Sequence, residues 1–375
     1  MTTGSNKTHI GRLLSYWVAA LLLLMVLAEL LTARFYYQQY GKRTMALREA
    51  FVAAKEGWQN RLATQRKRQQ NYQNQQRARP DSSAAWNQLV YNEMIAANHF
   101  IYDPWVGFRN KNFAGKTLHT QAYERRTIPA TAGAGSDTLR VWMLGGSTMF
   151  GFNVADGETI PSQLAQRYAQ TPICNRSLQV RNFGIPYFYS YQEYRLLNLL
   201  LEQEPPPHIV VFMDGLNDLN YSQTAPRWRH FFYHRMAHFM DPAAPEWESA
   251  PATAALSDSM VRQYQKTITL IRKLSQQNNI DPLFIIQPVP FYRYPNQAAD
   301  AACSKSTYPA YAIAYPALEK MSENQSDMFF WGNLLQQAPA VPFIDEIHYS
   351  PAFNQQMAGL LYHWLQGYLR ERDCK

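Results

Sequence analysis

The chain has 375 residues, 46% hydrophobic and 14% aromatic, which is enough to bury a large core and excludes a disordered protein. Its formal net charge of +8 is unevenly placed: residues 1–79 carry 13 Lys/Arg against 3 Asp/Glu, and residues 80–375 carry 23 against 25. A groove for phosphates needs its cations on the folded body, so this split counts against nucleic-acid binding.

After a short tail (residues 1–12), "LLSYWVAALLLLMVLAELLTA" at 13–33 is apolar apart from Ser15, Glu29 and Thr32. At 1.5 Å per residue it is long enough to cross a hydrocarbon layer of about 30 Å, and it predicts a transmembrane anchor embedded in a lipid bilayer. A cleaved signal peptide is the alternative, but it ordinarily has a shorter apolar core and small residues at its cut site. Lys7 and Arg12 precede the segment, whereas Arg34, Lys42, Arg43 and Arg48 follow it, so the positive-inside rule on its own places the body in the cytoplasm.

Residues 34–80 are basic and predict a helical stalk, with Leu47, Phe51, Ala54, Trp58 and Leu62 along one side. Either the stalk is solvated or its basic face rests on anionic headgroups. Pro80-Asp81-Ser82-Ser83 marks a boundary, and residues 81–139 form a lead-in segment to a domain spanning 140–375.

In that domain, apolar runs at 140–144, 178–184, 208–215, 282–290 and 341–345 read as buried strands. Segments at 190–204, 259–277 and 351–371 read as helices, the last with Ser350 as cap and Pro351 in its first turn. The alternation predicts an α/β fold: a three-layer α/β/α sandwich around a mostly parallel five-stranded sheet, with chemistry gathered beyond the carboxyl ends of the strands. Residues 219–257 and 293–330 fit the alternation poorly and read as inserts, either lids over a site or packed additions.

The first strand runs into Gly145-Gly146-Ser147. Neither a P-loop lysine nor the G-x-G-x-x-G spacing is present, so the turn matches neither a nucleotide nor a dinucleotide site. A serine nucleophile needs a base and a group to orient it, and Asp345 and His348 stand three residues apart before the last helix. Gly184 closes the second strand and offers a backbone N–H, and Asn217 follows the third and offers an amide for an oxyanion. No HExxH or close His/Cys/Asp cluster appears, so neither a metal nor another cofactor is expected. Cys174, Cys303 and Cys374 are too few and scattered for a zinc site or disulfide framework, and a Cys174–Cys303 bridge stays open.

Gly145-Gly146-Ser147, Gly184, Gly215-Leu216-Asn217-Asp218 and Asp345-Glu346-Ile347-His348 resemble, in order, the four sequence blocks of the SGNH (GDSL-type) hydrolases. The resemblance spans about residues 140–371, and "YDPWVGFRNKNFAG" at 102–115 is similar to the lead-in of membrane-anchored bacterial members. It implies a flavodoxin-like sheet, Ser147 as nucleophile, His348 as base and Asp345 as its orienting acid. It also implies an oxyanion hole from the Ser147 N–H, the Gly184 N–H and Asn217, supported by Gly146, Gly215 and Asp218. Gly146 departs from the family, which usually has Asp there. The implied activity is an esterase acting on an O-acyl ester, O-acetyl by preference; an anchored, outward location, and not the resemblance, points to a cell-envelope carbohydrate as the substrate. Such a body works on the outer face, against the charge bias. An O-acetyltransferase using the same triad and a non-catalytic scaffold or carbohydrate-binding protein are the alternatives, and the sequence names no protein partner.

Overall fold

The computed structural model describes residues 16–28, 30–31, 66, 69–129, 138–222, 254–298, 300 and 310–372. They fall in two units, Met1–Gln70 and Asn71–Lys375. In the first, residues 16–28 and 30–31 are helical, with exposed apolar side chains that include Trp17, Leu21, Leu24 and Leu30. Among the described residues no helix is long and apolar enough to cross a membrane. Residues 13–15, 29 and 32–33 of the predicted anchor lie outside the described residues, as do 34–65 and 67–68 of the predicted stalk and 223–253 of the first predicted insert.

The second unit opens with helix 71–78 and the Ala84–Ala97 helix, capped by Ser83, whose side chain accepts the Trp86 N–H. Strands β1 (Phe100–Asp103) and β2 (Gly107–Asn110) form an antiparallel hairpin. The short strands β3 (Phe113–Ala114), β4 (His119–Gln121) and β5 (Glu124–Arg125) pair antiparallel with one another, and β5 then joins the main sheet.

That sheet continues through β6 (Thr138–Gly145), β7 (Ser177–Gly184), β8 (Ile209–Asp214), β9 (Asp281–Ile286) and β10 (Met328–Phe330), all parallel. Its order is β10-β9-β8-β6-β7-β5-β4-β3. Counting only the parallel strands gives the flavodoxin-like order 2-1-3-4-5. Alternate residues of one strand enter opposite cores: Trp142 and Leu144 face one, Val141 and Met143 the other. The first core is closed by helices Ser190–Gln203, Ala254–Gln277 and Ala310–Ser322, the second by Ile160–Gln170 and Pro351–Arg372. Burial on both faces explains why these strands read as unbroken apolar runs.

Three expectations are corrected here. The fifth parallel strand is Met328–Phe330, not 341–345: Phe343 makes only an isolated antiparallel bridge to Tyr349, which closes a tight turn. The second predicted insert supplies that fifth strand and the Ala310–Ser322 helix, whose Tyr311, Ala314, Tyr315 and Leu318 are buried in the core. The sheet also extends past five strands, because β3–β5 add an antiparallel edge beyond β7. Asn217 follows β8, so Ser147 and Asn217 flank the point where the order reverses between the first and third parallel strands, where a crevice forms.

Candidate active site

Ser147 begins the Ser147–Phe150 helix directly after β6, and its N–H is one that a helix start leaves without an intrahelical acceptor. His348 Nε2 lies 2.8 Å from Ser147 Oγ, and His348 Nδ1 lies 2.7 Å from Asp345 Oδ2. Residues 201 positions apart are thus brought into one hydrogen-bonded relay. Ser147 is only 8% exposed, and the His348 and Asp345 side chains 13% and 15%, so the relay is sheltered but not sealed from solvent.

The spacing of Asp345 and His348 has a local cause. Asp345 Oδ1 accepts the N–H groups of Ile347 and His348 at 3.0 and 2.8 Å, an Asx-type turn that brings the imidazole back over the other carboxylate oxygen. The Ile344 N–H donates to His348 O at 2.8 Å, and Tyr349 Oη donates to Pro288 O at 2.7 Å, fastening the turn to the loop after β9. Ser350 then caps the last helix by accepting the Phe353 N–H. Burial alone would raise the Asp345 carboxyl, but the charge and hydrogen bond of His348, with the two backbone donors, hold it below the usual carboxylate range.

Asn217 stands beside the serine turn and donates from Nδ2 to Phe188 O at 2.6 Å. An amide nitrogen carries two hydrogens, so one fixes the side chain and the second can face an oxyanion. Gly146 has extended backbone (φ −79°), and its need is for space: a Cβ there would lie 2.4 Å from Asn217 Nδ2 and 3.0 Å from Phe188 O.

The N–H of Gly184, read from the sequence as an oxyanion donor, donates to Asn182 Oδ1 at 3.0 Å. A Cβ on Gly184 would lie 2.3 Å from Phe150 N, and its absence lets the serine helix sit directly on β7. Gly215 turns the chain from β8 toward Asn217. Asp218 accepts from Ser190 Oγ at 2.5 Å, tying the Leu216–Ser222 helix to the start of the Ser190–Gln203 helix.

Behind Asn217, Asp214, Asp218 and Glu193 are buried with Tyr264, whose Oη donates to Asp214 Oδ2 at 3.3 Å. Burial, reinforced by the neighbouring carboxyls, raises Glu193 and Asp214 well above the ordinary range and favours their protonated forms. Among the described residues no group of three or more His, Cys, Asp and Glu is arranged to hold a metal ion.

Several site residues were not read from the sequence. Asn153 Nδ2 donates to Asp345 Oδ2 at 2.6 Å, and the Phe152 ring lies 4.7 Å from the His348 ring, centre to centre. Thr148 Oγ1 donates to Gln287 Oε1 at 3.0 Å, linking the serine helix to the end of β9. Tyr187 takes φ 72° in the loop that presents Phe188 O. The only sequence signal for the Asn153 turn is residue type, since Gly151 and Asn153 tolerate the left-handed conformation they adopt (φ 82° and 65°).

A parallel α/β sheet carrying a preassembled Ser–His–Asp relay, with an amide beside the serine, defines a protein equipped for nucleophilic acyl transfer. Neither a family model nor a curated relative matches the chain. Among solved structures it is similar to the psychrotrophic esterase EstA from Pseudoalteromonas sp., at 15% identity over 62% of this chain and 99% of that one, TM-score 0.39. It is similar to a carbohydrate acetylesterase family member from Sinorhizobium meliloti, at 18% identity over 62% and 97%, TM-score 0.37. A lipolytic protein of the G-D-S-L family from Veillonella parvula shares 10% identity over 63% and 98%, TM-score 0.36.

Proposed function

We propose that the chain is a serine hydrolase of the SGNH type that cleaves an O-acyl ester, O-acetyl by preference, on a cell-envelope carbohydrate. The observation that carries this reading is the relay itself, at 2.8 Å from Ser147 to His348 and 2.7 Å from His348 to Asp345. In it, Ser147 Oγ attacks the ester carbonyl while His348 Nε2 takes its proton, and Asp345 holds the imidazole in the tautomer protonated on Nδ1. The Ser147 N–H and the second Asn217 hydrogen stabilise the oxyanion. His348 then returns the proton to the leaving alcohol, and water attacks the acyl-serine with His348 again as base, releasing the acid.

The sheltered serine and the Phe152 ring against the imidazole favour a short acyl group. Tyr102 and Trp105 are exposed on the β1–β2 hairpin, which packs through Phe100 against Tyr187, and their faces suit stacking with sugar rings. The apolar residues 13–33 serve as the bilayer anchor in this reading. Cys174 is disulfide-bonded, which favours an oxidising, extracytoplasmic location for the body over the one its flanking charges suggest.

The test is turnover of p-nitrophenyl acetate by the full chain, with and without an acetyl-acceptor oligosaccharide, beside Ser147→Ala. Ser147-dependent release of acetate supports the hydrolase. Acetyl appearing on the oligosaccharide at the expense of acetate makes the protein a transferase, and turnover that survives Ser147→Ala overturns the reading.

A further inference from the structure

The turn at residues 150–154 touches both the acid and the base of the relay. Its Phe152 ring lies against His348, and its Asn153 amide donates to Asp345 Oδ2, the same oxygen that His348 Nδ1 engages. Asp345 Oδ1 meanwhile is held by the Ile347 and His348 N–H groups. Both carboxylate oxygens are therefore fixed, and Asn153 is the one side chain among these donors that comes from outside the Asp345–His348 turn.

The turn is clasped from two other parts of the chain. Arg125, wholly buried, donates from Nη1 to Phe150 O at 2.8 Å and Gly151 O at 2.6 Å, from Nη2 to Val154 O at 2.6 Å, and from Nε to Asp156 Oδ1 at 3.0 Å. The Asn153 carbonyl accepts from Gln75 Nε2 and Arg79 Nη2, both at 3.1 Å. Gln75 and Arg79 are buried and bonded to each other, and Arg79 also pairs with Glu158 at 2.6 Å. Four carbonyls of one short turn are thus fixed by side chains distant in sequence, and the side chain so aimed meets the triad acid.

We propose that Asn153 is a positioning residue for Asp345, set in place by Gln75 and Arg79 and by Arg125, so that the segment 75–79 tunes the relay without touching substrate. The inference rests on the serine-hydrolase reading for its kinetic consequence, not for its geometry. With the Asn153 amide in place, the carboxylate cannot rotate away from His348 Nδ1, and Nε2 stays free to accept the Ser147 proton. Without it, Oδ2 loses a donor and the imidazole loses its fixed tautomer for part of the time, a defect in the transition state and not in substrate binding.

The experiment uses the full chain in detergent and two variants. Asn153→Gly removes the amide while keeping a backbone at home at φ 65°, and Gln75→Met removes one donor to the Asn153 carbonyl at similar volume. Each is read by kcat and KM on p-nitrophenyl acetate and by the His348 Nδ1–H resonance in histidine-labelled protein. A hydrogen bond to a charged group predicts that Asn153→Gly lowers kcat about tenfold to a hundredfold. KM should stay within about twofold, with the His348 resonance shifted or broadened; Gln75→Met should show a smaller loss in the same direction. Should Asn153→Gly fail to fold, Gln75→Met carries both readouts. An unmoved resonance with kcat within about twofold of wild type overturns the inference. If wild type shows no Ser147-dependent turnover, the hydrolase reading falls alone: a resonance moved by the variants still supports the positioning role, and an unmoved one rejects it.

Discussion

Replacing Gly146 by Ala tests how the serine turn and the oxyanion amide share space. The added methyl carbon would sit 2.4 Å from Asn217 Nδ2, nearer than a carbon can rest, and 3.0 Å from Phe188 O, a tight contact that needs a shift of a few tenths of an ångström. The backbone at φ −79° accepts alanine without strain, so the conflict is confined to those two neighbours. The Phe188 carbonyl is main chain, whereas the Asn217 amide ends a side chain, so the amide moves and its 2.6 Å bond to Phe188 O is lost. Loss of one oxyanion donor costs a factor of about 10²–10³ in kcat, or roughly 3–4 kcal/mol of barrier. Steady-state hydrolysis by Gly146→Ala, Asn217→Ala and the double variant separates this cause from general damage. If the methyl acts through the amide, the double variant is no slower than Asn217→Ala, because the same donor cannot be lost twice. Gly146→Ala at wild-type rate, or losses that multiply in the double variant, would refute the reasoning. Gly146→Asp, which puts a larger side chain in the same space, should be at least as slow as Gly146→Ala.

Two further outcomes concern stability. Arg125→Met leaves Asp156 without one of its buried partners and removes the guanidinium donors to the carbonyls of Phe150, Gly151 and Val154. Breaking such a pair costs about 3–5 kcal/mol, so the thermal midpoint should fall by roughly ten degrees; a shift under about two degrees would contradict the assigned network. Glu193 has a carboxyl raised by burial and by Asp214 and Asp218, so its contribution to stability is full below the unfolded carboxyl range and fades as pH rises through the raised folded value. Glu193→Gln should therefore flatten the decline of the melting temperature between pH 5 and pH 9, as followed by circular dichroism. An unchanged decline would mean that the cluster does not titrate as its burial implies. Asp345, with its carboxyl held low, acts in the opposite sense and only at acid pH, where its stabilisation is lost as pH falls.

What was legible in the sequence follows from how each element is stabilised. The predicted strands at 140–144 and 178–184 lie within β6 and β7, and those at 208–215 and 282–290 overlap β8 and β9 but run past them, by one residue at each end of β8 and by four after β9; burial on both faces writes itself as an apolar run. The fifth strand escaped because three residues, Met328–Phe330, carry no periodicity, while the apolar 341–345 belongs to the turn that folds Asp345 toward His348. The edge strands β3–β5, two or three residues long, were hidden for the same reason. Ser147, Asp345, His348 and Asn217 stood out because a turn of small residues or a three-residue spacing is local. Gly184 was visible as a glycine, but its use in close packing against Phe150 depends on a helix the strand never touches in sequence. Asn153, Arg125, Gln75 and Arg79 left no such mark, because their partners lie across the fold and only the assembled sheet brings them together.

The most direct measurement is the site and rate of reaction with a fluorophosphonate probe, read by peptide mass spectrometry on the folded full-length chain. One adduct on Ser147 is expected, abolished in Ser147→Ala and slowed about a hundredfold or more in His348→Ala, as loss of a general base requires. A folded protein that takes no adduct, or one whose labelling at Ser147 proceeds equally fast without His348, would contradict a working serine–histidine relay.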